Sequence, residues 1–245
     1  MSEISKEIII YLFAAHIIGD FVFQSKADVQ NKSKPAVLAK HSLIITLLSF
    51  VIVGVWNLWY LSLFIGTSHI IIDYIKAKYG QDKIFPFLLD QFAHLIFILI
   101  AAFYVSTIDN IQFFWSELAG GIYLSAIVVI SGLVLLIRTG GIFIGIIVTP
   151  FLQQINSEEV RPARGLSSGG EWIGSLERIL IFIMLLMEIP AAVGFLIAAK
   201  SILRFGEIKE SQNRMEAEYI IIGTFLSFIW GLIISYGVLQ LLQNI

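Results

Sequence analysis

The chain contains no cysteine. Disulfides and thiolate metal sites are therefore excluded, and any bound metal must take its ligands from histidine, carboxylate or amide groups. Charge is scarce as well: Asp, Glu, Lys and Arg make up 14% of the 245 residues, where a soluble domain carries about 25%. With a formal net charge of −2 and no long basic run, the chain has little with which to neutralise a phosphate backbone, so a nucleic-acid partner is not expected. GxGxxG, HExxH and GxxxxGK[ST] are all missing, and with them the common nucleotide and zinc-protease signatures. The opening Ser2-Glu3-Ile4-Ser5-Lys6-Glu7 offers neither a basic n-region nor a small-residue cleavage site. The apolar stretch behind it is expected to be a retained membrane helix and not a signal peptide.

What is abundant is apolar sequence, 58% of the chain, arranged in runs near the roughly 17–25 residues that cross a bilayer as helix. An all-α polytopic transmembrane bundle of seven or eight crossings is predicted. Helices are expected over about 7–24, 35–57, 61–79 and 86–106, with Pro35 and Pro86 in first turns and Gly80 as a stop. A fifth, about 118–137, is expected to end at Arg138-Thr139-Gly140-Gly141. The run 142–152, short and interrupted by Pro150, suggests a re-entrant or surface segment. A hydrophilic loop covers about 153–171. Residues 172–205 should form a hairpin turning at Glu188-Ile189-Pro190, followed by a last helix over 219–242. The Lys-rich connections at 25–40 and 76–83 belong in the cytoplasm, whereas the uncharged turn Trp56-Asn57-Leu58-Trp59-Tyr60 belongs outside. The expected location is the inner (plasma) membrane, with the N-terminus outside.

Inside the first apolar run lies His16-Ile-Ile-Gly-Asp20, and it returns as His69-Ile-Ile-Ile-Asp73. The offset is 53 for both pairs (69 − 16 and 73 − 20), and the same offset joins the other two histidines, His41 and His94. The first half therefore reads as an internal duplication of a two-helix unit: repeats at about 7–57 and 60–106 within a four-helix domain 1–106, followed by a C-terminal half 107–245. Residues four apart share a helix face about 6 Å apart along the axis, so each HxxxD offers an imidazole and a carboxylate to one point. An ionisable group in a bilayer is costly and normally faces inward onto a site. A solitary histidine would more readily be read as hydrogen-bonded glue between helices. Its repetition with matched carboxylates favours a site near the cytoplasmic face.

The expected metal ligands are His16, Asp20, His41, His69, Asp73 and His94, with Asp20, Asp73 and Asp90 as the candidate catalytic carboxylates. Gln24, Gln91 and Lys76 are placed around them to orient ligands or contact substrate. Mixed His/carboxylate ligation suits a divalent transition metal such as Zn, Mn or Fe. The preferred function is metal-dependent hydrolysis of a lipid-phosphate or other amphiphilic substrate, with membrane lipid as the surrounding partner. Two alternatives stand beside it: a proton- or cation-coupled transporter or channel using the same cluster, and a non-catalytic membrane scaffold. In the second half, Arg178, Lys200 and Arg204 are candidate anion contacts, with ion pairing to Glu177 as the structural reading.

The residues that carry the chemistry also carry a likeness. His16-x-x-x-Asp20-Phe21-x-x-Gln24, His41, His69-x-x-x-Asp73-x-x-Lys76 and Asp90-Gln91-x-x-His94 resemble the signature of a bacterial family of polytopic membrane proteins catalogued as a domain of unknown function. The motifs Gly170-x-x-Ile173-Gly174-x-Leu176-Glu177-Arg178 and Ala199-Lys200-Ser201-x-x-Arg204-Phe205 resemble the extension of its longer members. More distantly, the first half is similar to predicted membrane-bound metal-dependent hydrolases, which implies a metal-assisted activity.

Overall fold

The computed structural model describes residues 3–79, 83–157, 168–205 and 214–245, the side chains of 3, 155–157, 203–205 and 214–216 excepted. All regular structure among them is helical. Five helical stretches are long and apolar enough to cross a membrane: Pro35–Val53, Trp56–Tyr79, Ile84–Val105, Gly121–Gln154 and Ala217–Gln243. The chain divides into two compact units at 134/135, beyond the 106/107 division drawn from the repeat.

The first unit contains α1 (Glu3–Phe21), the short α2 (Lys26–Gln30), α3 (Pro35–Val53), α4 (Trp59–Tyr79), α5 (Ile84–Val105), the short α6 (Phe114–Ala119) and α7 (Gly121–Val134). Helix α1 is apolar on nearly every face, which suits a central position. It packs on α3, α5 and α7, while α4 packs on α3 and α5. Ile8, Tyr11, Leu12, Ala14 and Ala15 are consequently sealed from the surface. The outer faces are also apolar: Leu43, Leu47 and Val51 on α3, Leu63, Phe64 and Ile71 on α4, and Leu89, Phe92, Leu99 and Phe103 on α5 are exposed. Apolar outside with polar groups inside is the pattern of a helical bundle solvated by lipid.

Small residues let α3 and α4 approach closely. Ser42 Oγ donates to Gly66 O at 2.7 Å, and a Cβ added at Gly66 would overlap the Thr46 side chain. Helix α3 ends on Gly54, whose φ of +63° forms a left-handed cap. Trp115 lies against that glycine, and its Nε1 donates to Val51 O at 2.6 Å. Tyr123 Oη donates to Ile52 O at 2.7 Å. These aromatic donors use carbonyls that the last turn of α3 cannot satisfy internally. At the other end, α2 is held by a capping box: Asp28 N–H donates to Ser25 Oγ, and Ser25 N–H to Asp28 Oδ2, each at 3.1 Å.

The second unit contains a π turn at Leu135–Thr139, α8 (Gly140–Ser157), α9 (Gly169–Leu186), α10 (Pro190–Phe205) and α11 (Arg214–Gln243). Here the sequence expectation of a stop at 138–141 is corrected. The helix widens into the π turn and continues through Pro150 within one apolar stretch, Gly121–Gln154. Widening frees carbonyl oxygens, and partners take them up. Arg178 Nε donates to Leu136 O, Arg178 Nη2 to Ile137 O at 3.4 Å, and Trp230 Nε1 to Leu135 O at 2.9 Å. Helices α9 and α10 are separated at Met187–Ile189, where Glu188 has a φ of +58°, and α11 packs on α8 and α9.

Candidate metal centre

His16 and Asp20 lie in the second half of α1, His41 early in α3, His69 and Asp73 in the second half of α4, and Asp90 and His94 in the early turns of α5. The α1, α3, α4 and α5 packing brings these levels together at one end of the first unit. The four imidazoles are buried, and Asp73 is only 1% exposed. Ring centroids are 4.1 Å apart for His69 and His94, 4.6 Å for His16 and His94, and 4.9 Å for His41 and His69. The sequence-predicted imidazoles and aspartates thus converge.

The closest donor atoms form a triangle. His41 Nε2 and His69 Nε2 are 3.0 Å apart, and each is 3.1 Å from Asp20 Oδ1. Asp73 Oδ2 adds a fourth donor, 3.7 Å from His41 Nε2 and 3.6 Å from His69 Nε2. These separations are short enough for a metal ion with ligand bonds of about 2.0 Å to be shared by His41, His69 and either carboxylate. Hydrogen bonding alone does not account for the triangle. If one Nε2 carries a proton it serves only one of its two neighbours well, and if both carry one the two N–H groups oppose each other.

Charge points the same way. Asp20, Asp73 and Asp90 bring three negative charges. Lys32 Nζ lies 2.7 Å from Asp73 Oδ1 and Lys76 Nζ lies 2.6 Å from Asp90 Oδ2. Three carboxylates against two ammonium groups leave one uncompensated negative charge when the imidazoles are neutral, in a setting where unpaired buried charge is costly. Several acceptors are also poorly served: Asp73 Oδ2, Asp90 Oδ1 and His94 Nε2 are buried without a well-formed hydrogen bond. His94 Nε2 is 3.6 Å from Asp90 Oδ1 and 4.0 Å from Asp73 Oδ1. The buried His/Asp groups could hold a metal ion.

The surrounding residues orient the donors. Gln91 Nε2 donates to Asp90 Oδ2 at 3.0 Å, and His16 Nε2 donates to Gln91 Oε1 at 3.2 Å, the kind of outer contact that fixes ligand tautomer and direction. Gln24 Nε2 is buried with no hydrogen-bond partner. Lys76 is tied to Asp90 and is not a free cation, although its side chain is still 31% exposed. Lys32 is not distinguished by sequence from the other lysines of the 25–40 connection, because it belongs to neither HxxxD pair nor the 53-residue offset.

The second-unit candidates behave differently from one another. Lys200 pairs with both oxygens of Glu177, at 2.6 and 2.8 Å. Arg178 is not in that pair. It is buried and additionally donates from Nη1 to Ser227 Oγ at 2.9 Å and from Nη2 to Ser175 Oγ at 3.2 Å. The Arg204 side chain falls outside the described residues.

Residues 8–120 match the model of a family described as a protein of unknown function, DUF3307. Every histidine and aspartate of the cluster lies within the match, and the second unit lies outside it. No curated protein and no solved structure matches the chain.

Proposed function

We propose that the first unit is a metal-dependent membrane hydrolase acting on a lipid-phosphate or similar amphiphile. The observation that carries this reading is the buried convergence of His41 and His69 Nε2, 3.0 Å apart, with the Asp20 and Asp73 carboxylates 3.1–3.7 Å from both. A divalent transition ion held there would supply Lewis acidity and favour ionisation of a water. With the Asp90 carboxylate 3.6 Å away to stabilise the imidazolium, His94 Nε2 takes the proton of an attacking water. Its oxygen then bonds to phosphorus, and the departing ester oxygen recovers the proton. Lys76 holds Asp90 and, as the partly exposed member of that pair, meets the oxygens of an incoming phosphate.

In this reading the four site-bearing helices are two copies of one hairpin in a bundle of seven or eight crossings. The N-terminus is outside, and the site is near the cytoplasmic face of the inner membrane. The lysines of the two basic connections, at 25–40 and 76–83, support that orientation.

Elemental analysis of purified wild type, His41→Ala and His69→Ala tests the site. About one transition-metal ion per chain is expected in the wild type, and less than about a tenth of that in either variant, since loss of a ligand costs more than the tenfold typical of an outer-contact change. A wild type without stoichiometric metal removes the reading. Phosphate release from a lipid-phosphate in mixed micelles, without solute passage in a liposome flux assay, is the expected activity. Flux without release would instead make the cluster part of a carrier.

A further inference from the structure

The second unit has a half-open cleft of about 430 Å³ walled by α8, α9, α10 and α11, within the roughly 300–1,000 Å³ range of small-molecule sites. Its chemistry is uneven. Ile144, Val148 and Ile220 supply apolar wall, whereas Arg178, Thr224 and Ser227 supply polar groups.

Arg178 is the unusual member. It is 2% exposed, and no carboxylate lies within 4.0 Å of its guanidinium among the described residues. Its partners are two backbone carbonyls and two serine hydroxyls, all uncharged. Those four contacts leave one of its five N–H groups, on Nη1, without an assigned acceptor. A buried cation with only neutral partners is incompletely compensated. The Glu177 carboxylate on the same wall is already neutralised by Lys200, and Glu171 stands exposed. Small residues also open the wall: a Cβ added at Gly145 or Gly170, both lining the cavity, would meet nothing within 4 Å, and one at Gly223 would meet only Val148, at 3.9 Å.

We propose that this cavity is a second ligand site, one that binds a phosphate-class oxyanion on Arg178 with Ser227 and Thr224 beside it. Two sources present that chemistry, the head of an acidic phospholipid whose chain lies along Ile144 and Val148, and a free phosphate. The site belongs to the second unit and does not depend on metal in the first.

Full-length protein is tested in nanodiscs and detergent. Bound acidic phospholipid is read by native mass spectrometry against phosphatidylcholine, and inorganic phosphate is titrated by tryptophan fluorescence. Gly145→Leu fills the cavity without touching Arg178, and Arg178→Gln removes the charge. Saturable binding of either probe by the wild type, weakened about tenfold or more by Gly145→Leu, is the expected result, since the added side chain occupies the volume the ligand needs. Lipid retention without phosphate binding assigns the headgroup, and phosphate binding without lipid retention assigns the free ion. Absence of both in the wild type, or binding that Gly145→Leu leaves unchanged, overturns the site. Because Arg178→Gln also strips the π turn of donors, Gly145→Leu is the deciding variant, with unchanged amide exchange over the second unit's helices as the control for folding.

Discussion

Replacing Lys32 with methionine should strengthen metal binding while weakening the metal-free protein. Lys32 Nζ sits 2.7 Å from Asp73 Oδ1, and its side chain is only 10% exposed. Without metal, removing it strands the Asp73 carboxylate, and breaking a buried pair costs about 3–5 kcal/mol. A bound divalent ion reverses the sign, because the ammonium and the ion compete for one carboxylate. At a separation of about 5 Å and an effective dielectric constant of about 20, their repulsion is about 6–7 kcal/mol. If only about a third of that survives relaxation and solvent, the variant gains about 2 kcal/mol, or roughly 30-fold in affinity. Chelator competition on detergent-solubilised wild type and Lys32→Met measures that difference. Thermal unfolding with and without metal should show a lower apo melting temperature and a larger rise on loading. A folded Lys32→Met protein whose metal affinity is unchanged or weaker would refute the charge reasoning.

Gly66→Val should lower the melting temperature, because its side chain meets Thr46 where α3 and α4 are closest; overpacking of this kind costs about 1–3 kcal/mol. Arg178→Met should destabilise the second unit by about 1–3 kcal/mol for each π-turn carbonyl left unpaired, and faster amide exchange around Leu135–Thr139 would locate the damage. Acidification should loosen α2. Lys40 first, then Ser25, hold the Asp28 carboxyl down to about 2 from its ordinary 3.8. A depressed carboxyl stabilises fully above the ordinary value, and the contribution fades as pH falls from there through about 2. Hydrogen exchange of residues 26–30 across that interval should therefore rise, and Asp28→Asn should flatten the dependence.

The convergence of the imidazoles was legible because helical periodicity is local: HxxxD fixes two side chains on one face, and the same spacing recurs 53 residues on. The same logic applied to Asp90 and His94, also four apart. It could not find Lys32, whose approach to Asp73 depends on how the 22–34 connection folds back over α4, a long-range contact without a period. Nor did it find the π turn. Arg138-Thr139-Gly140-Gly141 has the composition of a helix stop, and only Arg178 and Trp230, 40 and more residues downstream, allow the helix to continue by accepting the displaced carbonyls as partners. Glu177-Arg178 suggested a neighbouring ion pair, but consecutive residues point to different sides of a helix. Glu177 therefore meets Lys200, and Arg178 turns to the π-turn carbonyls.

The central position of α1 has a consequence for how the chain is made. Its neighbours α3, α5 and α7 all emerge from the ribosome after it. Until they pack, it lacks the walls that bury Tyr11 and His16. Of these four helices, the earliest in the chain is thus the one whose surroundings are completed last.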